Sequence, residues 1–249
     1  MTFRRASVAI GLTIVLAFGL CTAVRAGEAP DAARRQEIET VVREYLRAHP
    51  EVVLEALQEM ERREQERQRV QRVEAIRAHL AQLTQDPGSP VGGNPQGRVT
   101  IVEFFDYQCG YCKREVGELK KLLQADTDVR LVYKDLPILG PPSVFAARAA
   151  LAARKQGKHE ALHEALMATN EPLTEEVVLK VATQSGLDIP RLQKEMADPS
   201  VSEALDRNFQ LQRALNIEGT PALIVGTEFI PGAASLDTLK ALVARARAQ

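Results

Sequence analysis

The hydrophobic pattern changes character three times along the chain. An unbroken apolar run from Val8 to about Leu20 follows Arg4 and Arg5. From about Asp31 to Leu83, apolar residues recur at helical spacing in a sequence rich in Arg, Glu, Gln and Ala. Residues 86–98 hold Pro87, Gly88, Pro90, Gly92, Gly93, Pro95 and Gly97 and break any periodicity. From Val99 onward, stretches of period two alternate with stretches of period 3.6, as in a mixed α/β domain of ordinary size.

The periodic stretch, residues 27–85, predicts an all-α arm. Ile38, Val41, Val42, Tyr45 and Leu46 share one helical face, and His49-Pro50 interrupts that helix. A second helical pattern carries Val53, Leu57 and Met60. It turns wholly polar from Glu61 to Arg69 and regains apolar spacing at Val73, Ile76, Leu80 and Leu83. Glu59–Arg63, Glu64–Arg67 and Glu66–Arg69 are spaced to support helix in the polar middle by a few tenths of a kcal/mol per pair. If helical throughout, Glu51 to Thr84 would extend about 50 Å. A helix with so thin an apolar stripe cannot bury itself alone. Either both ends fold back onto the α/β domain, or they pair between copies and make a homo-oligomer through residues 31–83. The Pro/Gly linker at 86–98 favours pairing between copies, and the charged middle reads as a solvated connector.

In residues 99–249, Val99 to Phe105 reads as a strand; Val116, Leu119, Leu122 and Leu123 mark the helix after it. Val129, Leu131 and Tyr133 alternate with Arg130, Val132 and Lys134 in a second strand. Leu136 to Pro142 breaks the pattern, and Ser143 opens an Ala-rich helix reaching about Lys155. Thr174 is placed to cap a helix beginning Glu175-Glu176, Gly186 ends it, and Pro190 allows a new start. A further helix runs from about Val201 to Leu215. Ala222 to Val225 is a strand, and a Gly226-Thr227 turn, another strand and a last helix follow. This order describes an α/β thioredoxin fold with an inserted helical domain over about 143–216, preceded by the N-terminal all-α arm.

The first apolar run is short for a membrane span, which needs roughly twenty residues. Flanked by Arg4-Arg5 and Val24-Arg25-Ala26, it reads as a secretory signal peptide, residues 1–26. Ala6 and Ser7 depart from the twin-arginine pattern, so general secretion is expected. Leu20 is bulky where lipid attachment to Cys21 wants a small residue, so no lipoprotein anchor is expected. Cleavage removes Arg4, Arg5 and Arg25 and no acid, moving the net charge from −1 to −4. That leaves no basic patch for nucleic acid or anionic lipid. Of three cysteines, Cys109 and Cys112 then remain. An exported chain with one closely spaced pair uses it for exchange rather than as scaffolding.

Cys109-Gly110-Tyr111-Cys112 stands at the predicted strand-to-helix junction. At a helix start, unpaired N–H groups and the dipole favour a thiolate; thiols in such sites ionise between about 3.5 and 7.5. Cys109 is thus the expected attacking thiol, and Cys112, one turn inward, the resolving one. Gly110 and Tyr111 tune the pair and face substrate together with Thr220 and Pro221. A proline opening a core strand lacks the ladder N–H and belongs at a special turn. A cis Thr220-Pro221 bond would place Thr220 beside Cys109 and leave its main chain free for a substrate backbone. Glu103 faces the same side as Phe105 and opposite Phe104. A carboxyl inside such a strand needs a task or a partner: proton transfer with Cys112 through water, or pairing, for instance with Lys134. The alternative for a Cys-x-x-Cys is half a zinc site. His159 and His163 share a helical face, but they lie far beyond finger spacing and read as surface residues, so no metal or cofactor is expected. Cu(I) on the reduced thiols is the more plausible metal chemistry. Phe104, Phe105, Phe209 and Phe229 read as core, and Tyr107 and Tyr111 as substrate contacts.

Phe104-Phe-Asp-Tyr-Gln-Cys-Gly-Tyr-Cys112, Tyr133-Lys-Asp-Leu-Pro-Ile-Leu139 and Gly219-Thr-Pro-Ala222 resemble the DsbA-like family of periplasmic thiol–disulfide oxidoreductases. Val41 to Leu57 resembles the helical arm of its ScsC-like and Com1-like branch. The resemblance implies a periplasmic oligomer, often an isomerase and in some members tied to copper tolerance, that acts on disulfide-bearing client proteins with a membrane redox partner. It implies Cys109 as nucleophile, Cys112 as resolving thiol, Glu103 as buried acid and Thr220-Pro221 as the cis-proline loop. Strongly oxidising members carry Pro-His between the cysteines and valine before the proline; Gly110-Tyr111 and Thr220 resemble the isomerases instead. Gln108 stands where thioredoxins place tryptophan. Isomerase is therefore the expected activity, with dithiol oxidase and Cu(I) binding as alternatives.

Overall fold

The computed structural model describes residues 32–248; the expected signal segment 1–26 lies outside them, with Cys21. Two compact units divide the chain after Met60. In the first, α1 (Ala32–Ala48) and the opening of α2 (Pro50–Ala78) form as their periodicity predicts. Pro50 takes the first position of α2, where no N–H is required. Ile38, Val41, Val42, Tyr45, Leu46, Val53, Leu54, Leu57 and Met60 are all exposed.

The second unit begins inside α2. The expected pairs Glu64–Arg67 and Glu66–Arg69 (2.8 Å) form along the polar stretch. α2 breaks at His79 before α3 (Leu80–Thr84). Of the apolar stripe, Ile76 and Leu83 are fully buried, Val73 is partly buried and Leu80 is exposed. Ile76 and Leu83 pack with Val102, Phe104, Val132, Leu136, Leu211 and Ile224. This end of the expected arm is therefore core of the α/β unit.

The expected linker 86–98 also needs correction, because it contributes a strand. β1 (Val91–Gly93) pairs antiparallel with β3 (Val129–Asp135). Glycine at 92 serves packing rather than freedom: a Cβ there would come within 2.7 Å of the Tyr133 hydroxyl. With β2 (Val99–Phe105), β4 (Ala222–Val225) and β5 (Glu228–Pro231), the sheet order is β1-β3-β2-β4-β5. β2 runs parallel to β3 and antiparallel to β4. α4 (Gly110–Ala125) and α10 (Leu236–Arg247) bury Leu119, Leu122, Leu239, Leu242 and Val243 in one core with Ile101, Phe105 and Leu131. Five helices fill the connection from β3 to β4: α5 (Pro141–Ala153), α6 (His159–Ala168), α7 (Glu175–Gln184), α8 (Ile189–Met196) and α9 (Pro199–Ala214). The structure is a thioredoxin-like fold with an inserted helical layer and an N-terminal helical region. α5 starts two residues before Ser143, using Pro141 and Pro142 in its first turn.

Strand parity sorts the side chains of β2 and β3. Phe105 joins the larger core and Phe104 the other. Lys134, in register with Phe104, is fully buried and donates to Gln82 O (2.8 Å) and Ser89 Oγ (2.7 Å), with Asp86 at 3.4 Å. Burial lowers its pKa to about 8, against the pull of Asp86. The native lysine therefore releases its proton before the unfolded one, whose ordinary value is 10.5. The unfolded chain binds the extra proton between about 8 and 10.5, so this group makes stability rise with pH across that window. Asp86→Ala should cost about 3–5 kcal/mol at pH 7, because it leaves a buried ammonium uncompensated. Urea unfolding at pH 10, where Lys134 is already neutral, should show a smaller loss. Equal losses at both pH values would remove the ion pair as the cause.

Candidate active site

The end of β2 delivers Glu103, and a short turn then places Cys109 as the N-cap of α4. Asp106 builds that turn. Its carboxylate accepts the N–H of Gln108 (2.7 Å), the N–H of Leu139 (3.0 Å) and the hydroxyl of Ser143 (2.7 Å), and its carbonyl accepts Cys109 N–H (3.0 Å). Gln108 Nε2 adds bonds to Leu139 O and Ser143 Oγ. The cysteine motif is thus fastened to the start of α5. Sequence reasoning passed over Asp106, although an Asp two residues before the amide it accepts is an ordinary turn signal.

The Sγ of Cys109 accepts the N–H of Cys112 at 3.4 Å, and its thiol donates to Thr220 O at 3.2 Å. Cys109 is 7 % exposed and Cys112 fully buried; neither forms a disulfide. Burial pushes the Cys112 thiol far up. Gly110 has open space where a Cβ would stand, and exposed Tyr111 lies under the Arg114 guanidinium, 4.3 Å from ring centre to Cζ. The Thr220-Pro221 peptide is cis, and Pro221 O accepts the Gly232 N–H at 2.8 Å. Cys109, Cys112, Gly110, Tyr111, Thr220 and Pro221 therefore stand together.

Glu103 is fully buried, and neither carboxylate oxygen has a hydrogen-bond partner. Lys134 points to the other face and does not pair with it. Burial first, then the charges of Glu115, Asp135 and Cys109, hold its carboxyl well above the ordinary 4.5. Burial also raises Asp135 and Glu115, each to about 7, the latter against a hydrogen bond from Ala234 N–H. Glu103 lines a pocket of about 230 Å³ with Leu119, Leu131, Tyr133 and His163; the exposed Lys120–Glu164 ion pair (2.9 Å) lines it too.

Two expectations fail here. His159 and His163 are buried, not superficial: the face they share is the face α6 turns toward Phe105, Tyr107 and Tyr133. Burial lowers the His163 pKa to about 3, and the ring stays neutral. Tyr107 is also buried, 3.2 Å from His163 Nδ1, so it is no substrate contact. Among the described residues, no three His, Cys, Asp or Glu side chains converge as a metal site.

The model of the DSBA-like thioredoxin domain matches residues 100–244, and that of the copper resistance protein ScsC N-terminal domain matches 35–67. A thioredoxin-like oxidoreductase from Silicibacter pomeroyi DSS-3 is 47 % identical, with a TM-score of 0.67 over 68 % of this chain and 98 % of that one. BcfH of Salmonella enterica Typhimurium is 28 % identical, with a TM-score of 0.75 over 86 % and 96 %. Disulfide bond formation protein D of Bacillus subtilis is 28 % identical over 61 % of this chain and 74 % of its own length. The chain spans about a quarter of other curated relatives: 24 % of the Na(+)/H(+) antiporter NhaA 3 of Salinispora tropica, at 30 % identity over 61 % of this chain.

The native fold holds a proton on Glu103 that the unfolded chain releases above about 4.5. This contribution to stability is complete below that pH and is lost as pH rises toward the native value. Glu103→Leu removes an unpaired buried polar group. It should raise the unfolding free energy of the reduced protein at pH 8 by about 1–3 kcal/mol, and by less at pH 4. Urea titrations at the two pH values check this; a destabilised variant at pH 8 would contradict the orphaned carboxyl.

Proposed function

This chain belongs to the DSBA-like thioredoxin family, and on that premise we propose that it is an exported, periplasmic thiol–disulfide oxidoreductase of the isomerase type. One observation carries the reading: the Cys109 sulfur lies between the N-terminus of α4, where it accepts the Cys112 N–H, and the carbonyl of Thr220, to which its thiol donates. The Cys109 thiolate attacks one sulfur of a mispaired client disulfide. The client S–S bond breaks, a Cys109–client mixed disulfide forms, and the other client sulfur leaves as a thiolate. In isomerisation, a second client thiolate attacks the client sulfur of that mixed disulfide. The correct client bond forms, and Cys109 departs with its electron pair. In the escape branch, Cys112 attacks Cys109 instead; the client leaves reduced, and the Cys109–Cys112 disulfide passes to a membrane redox partner. Buried Cys112 must lose its proton to act, and Glu103, whose charge acts on that thiol, is in its ionised form the proposed acceptor through water, burial making its carboxylate a stronger base than an exposed one. The client main chain pairs with Thr220-Pro221 beside Gly110 and exposed Tyr111.

An isomerase must keep Cys109 reduced and hold non-native clients. The exposed apolar residues of Ile38 to Met60 would gather several redox domains as a homo-oligomer. The match to an ScsC N-terminal domain supports that role for the arm. A dithiol oxidase is the competing reading, supported by the likeness to disulfide bond formation protein D. Copper tolerance is another, supported by the description of the N-terminal match and by two free thiols one helical turn apart.

Cys109→Ser should lower scrambled-ribonuclease refolding by at least about a hundredfold, and Cys112→Ser should accumulate client mixed disulfide on non-reducing gels. Refolding intact in Cys109→Ser would refute the site. Deletion of the arm through Met60 leaves Ile76 and Leu83 in the core. It should give a monomer whose isomerase rate falls about tenfold while its dithiol oxidation persists. Light scattering and both assays on one sample decide. An undiminished isomerase rate in the monomer would remove the arm from the mechanism, and tight stoichiometric Cu(I) binding with negligible turnover would favour copper.

A further inference from the structure

We propose that Glu115 is a positioning residue of the redox site: its carboxylate ties the chain behind the Thr220-Pro221 loop to the helix that carries both cysteines. This rests on reading that loop as the edge where a client strand docks.

Glu115 follows Cys112 by three residues, so the helix sets both on one face. It is 1 % exposed. Its Oε1 accepts the N–H of Ala234 at 2.7 Å, and its Oε2 is buried with no partner. A carboxyl in such a place is costly. The next inward positions of α4, Leu119 and Leu122, show what packing alone selects. The cost is explained by what Ala234 belongs to. It lies in the turn from β5 to α10, two residues after Gly232. Gly232 N–H donates to Pro221 O (2.8 Å), and Thr220 O accepts from Cys109 Sγ (3.2 Å). The contacts close a ring: Cys109, α4, Glu115, Ala234, Gly232, Pro221, Thr220 and Cys109 again. Cys109 and Glu115 are its only side-chain links.

A hydrogen bond from the Ala234 N–H to the Glu115 side-chain oxygen is directional. It therefore sets where the turn sits along α4, which apolar contact leaves loose. Glu118 grips the same turn at Leu236 N–H (3.2 Å), from a more exposed position that it shares with Lys121. The ionisable groups near Glu115 are Glu103 from β2, and Cys112 and Glu118 from α4. The turn presents main-chain donors, and Asp237 at the start of α10 is exposed.

A peptide client needs the loop's main chain; a small dithiol does not. In the full chain, Glu115→Leu should raise KM for a disulfide-bridged peptide about five- to tenfold with kcat within about twofold. Oxidation of dithiothreitol should stay within about twofold. Glu115→Gln keeps the acceptor oxygen and should match the parent on both substrates. An unchanged peptide KM in Glu115→Leu, or equal losses on both substrates, overturns the tether. Pro221→Ala separates the two readings. If it raises the peptide KM while Glu115→Leu does not, the tether alone is wrong. If it leaves the peptide KM unchanged, the docking edge is wrong and the tether with it. Should Glu115→Leu fail to fold, the Ala234 amide decides by NMR. Its proton shift should titrate with a midpoint near 7 in the parent and lie flat in Glu115→Gln; a flat parent profile overturns the proposal.

Discussion

A sulfur atom caps the helix on which the chemistry of this fold rests. Helix N-caps ordinarily use the oxygen of Ser, Thr, Asp or Asn. In the helical layer and at α10 this chain does the same, with Thr174, Asp188, Asp198 and Ser235. At α4 the capping atom is Cys109 Sγ. The cap and the candidate nucleophile are one atom, so whatever bonds to that sulfur also changes the end of the helix. Asp106 compensates from behind. It fixes the turn through three donors and leaves the sulfur as the one cap that chemistry can alter.

The second constraint is alternation along two central strands. β2 and β3 divide two cores, and one residue of register decides which core a side chain enters. Glu103, Phe105, Tyr133 and Asp135 lie to one side, Phe104 and Lys134 to the other. The ammonium meets Asp86, Ser89 and Gln82 O, while the carboxyl has no cation. Had Glu103 met Lys134, the pair would have been two fixed charges, useless for moving a proton. Apart, each is pushed toward neutrality by burial, and Glu103 is a carboxyl without a fixed ionic partner, beside a pocket that also touches Tyr133 and His163.

What was legible in the sequence is what local periodicity and turn chemistry control. Val99 to Phe105 read as a strand because apolar residues fill it. The order of helices after Ser143 read correctly because Thr174, Gly186 and Pro190 punctuate it. The cysteine motif and Thr220-Pro221 could be brought together because each opens or closes a core element. Contacts made at long range left no such mark. Val91 is the sole apolar side chain of β1, and a glycine pressed against a tyrosine ring, as Gly92 is, looks like a glycine in a linker. His159 and His163 at helical spacing fit a surface or a core equally; the aromatic side chains they meet come from β2, β3 and the turn after β2. Glu115 looks like one more charge on an amphipathic helix until Ala234, remote in sequence, places an amide against it.

The division of the chain shows why composition misled. Prolines and glycines suggested a break at 86–98, yet that segment is held by the β1 ladder, and Asp86 and Ser89 meet a buried lysine. The division falls instead after Met60, where nine consecutive polar residues follow. A helix can run through such a stretch because its hydrogen bonds are internal and pairs such as Glu66–Arg69 need no core. The same stretch separates two apolar sets with different outcomes. Ile76 and Leu83 find Phe104 and Val132 within their own unit. Ile38 to Met60 leave nine large apolar side chains exposed. They are 36–61 % exposed, so burying the remainder of each is worth roughly half of the 1.5–3 kcal/mol of a fully exposed side chain. On the proposed reading, that apolar surface is what collects several redox domains into one isomerase.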